Sequence, residues 1–248
     1  MFGFTYNGVH SNTYGIVAKS IKRPLLPSLV KRELTVPGRD GTYDFEDNTF
    51  ESSIIEVELK FIGTSIANLR SKAREIAFWL SGRDGRKNLI FDDEPTKYYD
   101  AKIYSDIGLT NLFALGECSV QFECQPFAYE TTSSEYTLSI TADVTATLTN
   151  NGTFTALPVI VLSGSFTALT ITQGTATLTY SAAMTADQTL TIDCTDFTVL
   201  LDTTNAMASI SGSAAADFIE LATGSSTLIF SGTALNLTAS ITFIPRYY

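Results

Sequence analysis

Ile54-Ile55-Glu56-Val57-Glu58-Leu59-Lys60-Phe61-Ile62 decides the fold class. Ile55, Val57, Leu59 and Phe61 fall on one side of an extended chain, and Glu56, Glu58 and Lys60 fall on the other. A period of two marks a half-buried strand, because successive strand side chains point to opposite faces. Upstream lies Val36-Pro37-Gly38-Arg39-Asp40-Gly41-Thr42-Tyr43-Asp44-Phe45, between two strand-like runs, Ser28–Val36 and Ser53–Ile62. Pro37 ends the first run because it has no N–H to give a ladder. Gly38 and Gly41 free the backbone, and Asp40-Gly41 is a hairpin-turn dipeptide. The segment reads either as an ordinary surface hairpin or as an arm that reaches a neighbouring subunit.

Downstream the period changes. Ile66, Leu69, Ala73, Ile76 and Leu80 make one helical stripe, which predicts a helix from about Ser65 to Ser81. Thr64 or Ser65 caps its first turn, and Gly82 stops it. Trp79 flanks the stripe. Phe78 lies nearly opposite, among Ser71, Arg74 and Glu75. It is either a singly exposed aromatic or part of a face that another chain or domain covers.

The remainder of the first half reads as strands. Phe2–Tyr6 precedes Asn7-Gly8, a strong two-residue hairpin signal. Gly15–Ile21, Leu89–Phe91, Tyr98–Tyr104 and Leu115–Cys124 follow, and Gln125-Pro126-Phe127 is expected to close the first domain. From Glu135 the texture shifts. Threonine supplies 27 of the 118 residues from 131 to 248, in short alternating runs. These include Tyr136–Ile140, Val144–Thr149, Val159–Leu162, Ala206–Ile210, Phe218–Leu221 and Leu235–Phe243. Regular strands without a helix signal predict a β-sandwich or jelly roll. The expected organisation is a β-rich domain with one α-helix over 1–130, then a sandwich over 131–248, the last strand of which either closes the sandwich or returns to the first domain.

Charge divides in the same place. Residues 1–130 carry 15 Lys+Arg against 18 Asp+Glu, whereas 131–248 carry only Arg246 against 8 acids. A net charge of −10 leaves no basic footprint for gripping phosphates. An acidic surface suits a wall that DNA must pass. No apolar run approaches the roughly 18 residues that cross a membrane, and the N-terminus lacks a basic signal region. Cys118, Val120, Phe122 and Cys124 share one strand face, with the two sulfurs roughly 20 Å apart, too far for a bridge. Cys194 stands alone, so buried free thiols are expected.

Catalytic parts are missing. His10 is the single histidine, placed in a hairpin region where an exposed turn role is expected. G-x-S-x-G, Walker, H-E-x-x-H and G-x-G-x-x-G patterns are absent. Asp92-Asp93-Glu94 is a weak metal candidate and reads better as a solvated turn. Asp193, Asp196 and Asp202 flank one expected hairpin, where strand-end solvation outweighs a glycosidase pair. No catalytic, cofactor or metal residue is assigned. A carbohydrate-binding module is the alternative reading, with Tyr136, Phe154, Phe166, Tyr180, Phe197, Phe218, Phe230, Phe243, Tyr247 and Tyr248 available as platforms.

The order of motifs resembles one family. Phe4-Thr5-Tyr6-Asn7-Gly8, Ser11–Ile16, Val36–Gly41, Glu75–Leu80 and Lys97–Ala101 look like the distal tail protein (Dit) family of long-tailed, non-contractile phages. Asn150–Thr153, Ala156–Ile160, Leu190–Asp193 and the closing Thr238–Tyr248 segment fit too. Where related sequences often carry a Pro-Gly-Asn turn, this one reads Ala222-Thr223-Gly224-Ser225-Ser226 and keeps only the glycine. The resemblance implies a ring-forming N-terminal domain, a galectin-like β-sandwich outside the ring, and a homo-hexamer at the distal end of the virion tail, assembled in the host cytoplasm. It implies a hub that joins the tail tube protein, the tail-tip hub protein and receptor-binding proteins, with DNA passing through. Within that ring, Val36, Pro37, Gly38, Arg39, Asp40, Gly41, Thr42 and Phe78 are the expected intersubunit residues.

Overall fold

The computed structural model describes residues 3–45, 48–112, 114–212 and 218–248. Phe2, the expected start of the first strand, lies outside the described residues. The chain forms two compact units, Met1–Tyr129 with Tyr248, and Glu130–Tyr247.

Unit 1 contains β1 (Phe4–Tyr6), β2 (Val9–His10), β3 (Ile16–Lys22), β4 (Glu33–Thr35), β5 (Thr42–Asp44), β6 (Ser53–Ile62), α1 (Ile66–Trp79), β7 (Lys87–Phe91), β8 (Lys97–Lys102), β9 (Leu109–Leu112) and β10 (Leu115–Glu130). Its main sheet runs β2-β1-β7-β8-β10-β6-β3, and β9 pairs with β10. Asn7 and Gly8, with φ of 51° and 75°, make the two-residue turn that sets Tyr6 opposite Val9. β6 pairs with β10 without a break from Ile62↔Leu115 to Ser53↔Cys124. Its apolar side, Ile55, Val57, Leu59 and Phe61, is buried as the alternation requires. On the opposite side Glu56, Glu58 and Lys60 pair with Lys22, Lys19 and Glu117.

α1 starts at Ser65, whose hydroxyl accepts from the Asn68 N–H at 3.1 Å. It buries Leu69, Ile76 and Trp79. Trp79 is core, not a flank. Its ring stacks on Phe4 and Tyr14, and its indole N–H donates to the Tyr6 carbonyl at 3.0 Å. Ile66 belongs to the stripe yet stays exposed. Helical side chains lean toward the N-terminus, so the first residue overhangs the buried turn.

Four expectations about strands and their ends change. Ser28–Val36 is not one strand; only Glu33–Thr35 and a bridge at Leu29 pair, because the segment has no buried face to fix a long register. Gln125-Pro126-Phe127 does not end a strand, since β10 continues to Glu130. Pro126 falls past the Cys124↔Ser53 pair, so it removes no bond from the β6 ladder. Ala206–Ile210 contains a 3-10 turn at Met207–Ser209, drawn in by the Asn205 side chain, which accepts from the Met207 N–H at 2.9 Å. Phe218–Leu221 is likewise no strand, and only Leu221 bridges, to Ala156.

Unit 2 contains β11 (Ser134–Ile140), β12 (Val144–Asn150), β13 (Val159–Ser165), β14 (Ala168–Gln173), β15 (Ala176–Tyr180), β16 (Thr189–Asp193), β17 (Thr198–Leu201), β18 (Thr204–Asn205), β19 (Ile210–Gly212), β20 (Gly224–Thr233), β21 (Asn236–Phe243) and β22 (Arg246–Tyr247). Two sheets, β11-β21-β13-β16-β17-β18 and β12-β20-β14-β15-β19, share a single hydrophobic core. Leu237, Ala239, Ile241 and Phe243 of β21 point into it, while Thr238, Ser240 and Thr242 point out. Gly224, at φ 82°, keeps the turn role at the head of β20. Buried Asn150 fastens the ends: its amide donates to the Phe154 and Leu221 carbonyls, and its oxygen accepts from the Gly152 N–H.

Candidate assembly surface

The Val36–Phe45 segment is the outer half of a two-stranded ribbon. Glu33 pairs with Asp44, Leu34 with Tyr43 and Thr35 with Thr42. Lower down, Leu29 bridges Phe50, the Val30 N–H donates to the Thr49 carbonyl, and the Glu51 N–H donates to the Ser28 carbonyl. The tip closes where the Arg39 N–H donates to the Val36 carbonyl at 3.1 Å. Gly38 at φ 82° completes a type II turn with Pro37 ahead of it. The closed turn is therefore Pro37-Gly38, and Asp40-Gly41 lies on the return. Lys31 and the Thr42 hydroxyl both reach the Glu33 carboxyl, and the Lys31 hydrogen bond is the main reason its pKa falls below the usual carboxylate value.

Every residue from Arg32 to Phe45 is exposed. Leu25 is 95% exposed, and Leu34, Val36, Tyr43 and Phe45 stand open as well. Tyr43 and Phe45 touch edge to face, 5.2 Å between centroids. Such a row of apolar side chains is a candidate contact surface, because covering it would release ordered water.

The root of the ribbon is fastened. Arg23, at the end of β3, lies 4.8 Å over the Phe91 ring and pairs with Asp93 and Glu94. Lys97 reaches Glu94 at 3.1 Å, and His10 Nε2 lies 3.0 Å from Asp92. Asp92-Asp93-Glu94 is thus an ion-pair node and not the freely solvated turn expected. On the returning chain Phe50 packs edge-on against Phe127 and Tyr248.

Phe78 is 85% exposed on α1, one residue from buried Trp79. Beside it an open groove of about 910 Å³ is lined by Val9, Tyr14, Phe78, Trp79, Arg83 and Lys87 among others. Among the described residues no hydrogen bond, ion pair or ring contact joins the Phe78 side chain to Val36, Pro37, Gly38, Arg39, Asp40, Gly41 or Thr42. The ribbon and the helix face are separate patches of one unit. The groove itself escaped the sequence reading; the apolar pair Tyr14 and Trp79 was its only trace.

No chemistry gathers here. His10 Nδ1 accepts from the Asn12 N–H at 3.1 Å, so its proton sits on Nε2 and points at Asp92. It is a turn buckle at the end of β2. Burial pushes the Cys124 and Cys194 thiols up to about 12, the opposite of an activated nucleophile. Asp193 accepts from the N–H groups of Thr195 and Asp196, and Asp202 accepts from that of Thr189, so these acids cap strand ends. Among the described residues no three His, Cys, Asp or Glu side chains are grouped to hold a metal ion. Among the described residues no helix is long and apolar enough to cross a membrane. Of the aromatics considered as sugar platforms, Phe166, Tyr180, Phe230 and Phe243 are core.

Comparison with known proteins gives the family. Residues 10–124 match the phage tail protein RIFT-related domain. Residues 151–247 match the siphovirus-type tail component, C-terminal domain. No curated protein matches the chain. Among solved structures it is similar to the Dit protein (gp 19.1) of phage SPP1, described as a paradigm of the hub adsorption apparatus in phages that infect Gram-positive bacteria. That likeness has a TM-score of 0.79 at 18% identity and covers 100% of both chains. Two domain matches in this order, on this fold, place the chain in the siphophage distal tail protein family, whose members are structural components of the phage tail.

Proposed function

We propose that the protein is the hexameric hub at the distal end of the tail, with unit 1 building the ring. The ribbon from one copy reaches the Phe78 face and its groove on the next. The observation that carries this reading is the ribbon itself: exposed, stiffened at tip and root, and carrying Leu34, Val36, Tyr43 and Phe45 as an open apolar row. An arm with an apolar row on one patch and an exposed phenyl beside a groove of mixed polarity on another make a heterologous contact, which generates a ring when its rotation closes. The charges of the ribbon balance, Lys31, Arg32 and Arg39 against Glu33, Asp40 and Asp44, which leaves its apolar face and backbone pairing to drive the contact.

In this role the hub joins the tail tube protein above to the tail-tip hub protein and receptor-binding proteins below. DNA transits the opening, and the acidic balance keeps it from sticking. The protein performs no catalytic step. Assembly takes place in the host cytoplasm before the tail is complete. Native mass spectrometry and negative-stain imaging test the reading. Six-fold rings are the expected result. A species that stays at 26.9 kDa, even with tail tube protein added, would overturn it.

A further inference from the structure

β12 is an edge strand whose outer backbone is open, and its chemistry specifies what would cover it. Thr149 fixes the orientation. Its N–H donates to the Tyr136 hydroxyl at 3.0 Å, away from the β20 ladder. Backbone direction alternates along a strand, so the N–H and C=O groups of Thr145 and Thr147 point to that same open side. Neither has a hydrogen-bond partner there among the described residues.

Natural edges of this length are normally blunted by lysine, proline or a bulge. β3 has its bulge beside Lys19, and β18 and β19 are only two and three residues long. β12 has none of these protections. Its seven residues, Val144-Thr145-Ala146-Thr147-Leu148-Thr149-Asn150, are uncharged and pair with β20 in unbroken register. Thr145 and Thr147 are exposed.

We infer that the Thr145–Thr147 edge of β12 accepts a short extended segment of another protein, added as a further antiparallel or parallel strand and carrying Lys or Arg at its ends. The open donors and acceptors select a strand over a helix. Charge selects the flanks and excludes a second copy. Residues 131–248 hold 8 acids against Arg246, whose guanidinium is already committed to the Thr155 carbonyl. Asp143, at one end of the edge, accepts from the Gly232 N–H at 3.2 Å and has no cationic partner among the described residues, so its negative charge is unneutralised. Pairing two identical copies would bring two net-negative units together.

The test uses the full chain and a labelled Lys-Thr-Val-Thr-Val-Thr-Lys peptide. Binding is expected to shift the Thr145 and Thr147 amide resonances and slow their exchange. Methylating alternate peptide nitrogens should weaken it at least about tenfold, because those N–H groups supply the new ladder. Replacing both lysines by glutamate should also weaken it, by a margin that shrinks with salt. Thr147→Pro should abolish binding while leaving the β12–β20 amide pattern intact, since the lost N–H faces outward; Thr147→Ser should bind normally. The inference is overturned if the methylated peptide binds equally or the shifts fall on another surface. It is equally overturned if nothing binds at millimolar peptide, or if sedimentation shows copies pairing through β12. None of these outcomes depends on ring formation, so failure here and failure of the hub reading are separable.

Discussion

Phe78 and Trp79 are neighbours on α1 with opposite fates, and exchanging each in turn separates folding from assembly. Trp79 is 6% exposed, stacked between Phe4 and Tyr14, and donates to the Tyr6 carbonyl. Trp79→Ala removes that packing and leaves the carbonyl unpaired, so unit 1 should lose about 3–5 kcal/mol. Phe78→Ser removes a side chain that is 85% exposed, so unit 1 stability should move by less than about 0.5 kcal/mol. In a ring, burying that phenyl is worth about 1.5–3 kcal/mol per interface. The subunit contact should therefore weaken about 10- to 100-fold. Urea unfolding reads the first quantity, followed by circular dichroism for Trp79→Ala, which keeps no tryptophan, and by tryptophan fluorescence for Phe78→Ser. Trp79 is the single tryptophan, so the signal reports unit 1 alone. Concentration-dependent light scattering reads the second. The reasoning fails if Phe78→Ser destabilises unit 1 by more than about 1 kcal/mol while assembly is unchanged, because the phenyl would then belong to the fold.

Three further outcomes are expected. Replacing Val36–Gly41 by a two-residue Asn-Gly turn should abolish rings yet leave the urea midpoint of unit 1 unchanged; normal rings from this variant would return the ribbon to an ordinary hairpin. Asn150→Ala deletes three hydrogen bonds from a buried side chain and should cost unit 2 about 3 kcal/mol, seen as a lower melting temperature by circular dichroism. For the thiols, a folded-state value raised to about 12 means that the stabilisation is complete below the unfolded value and is lost as pH climbs toward 12. From pH 8 to pH 10 each buried thiol should withdraw about 2 kcal/mol, and Cys194→Ala should remove its share. Native protein that reacts fully with a disulfide reagent at pH 8 would contradict that burial.

Sequence patterning reveals much of this fold because burial follows period. Ile55, Val57, Leu59 and Phe61 were legible as one buried face, and Leu69 and Ile76 as a helix stripe. Asn7-Gly8 announced its own turn through the φ values it tolerates. Patterning failed where side chains act on the backbone, as at Asn205, or where no buried face exists, as in Ser28–Arg32. Ion pairing was invisible as well. Asp92 and Asp93 find His10 and Arg23 across the fold, and spacing along the chain carries no sign of partners that distant. The exposed row Leu34, Val36, Tyr43 and Phe45 shows as apolar residues, but only the paired ribbon shows that no core receives them.

The ribbon also decides how a subunit ends its life. Lys31, Arg32 and Arg39 lie on it, exposed, and are sites for any trypsin-like protease. From Ile103 to Pro245 the chain offers such an enzyme no bond at all. A free copy is therefore open to clipping in the segment proposed to join it to others, while residues 131–245 offer no site. Once covered by a neighbour, the same bonds are out of reach, so proteolysis would discard unassembled copies and spare finished tails.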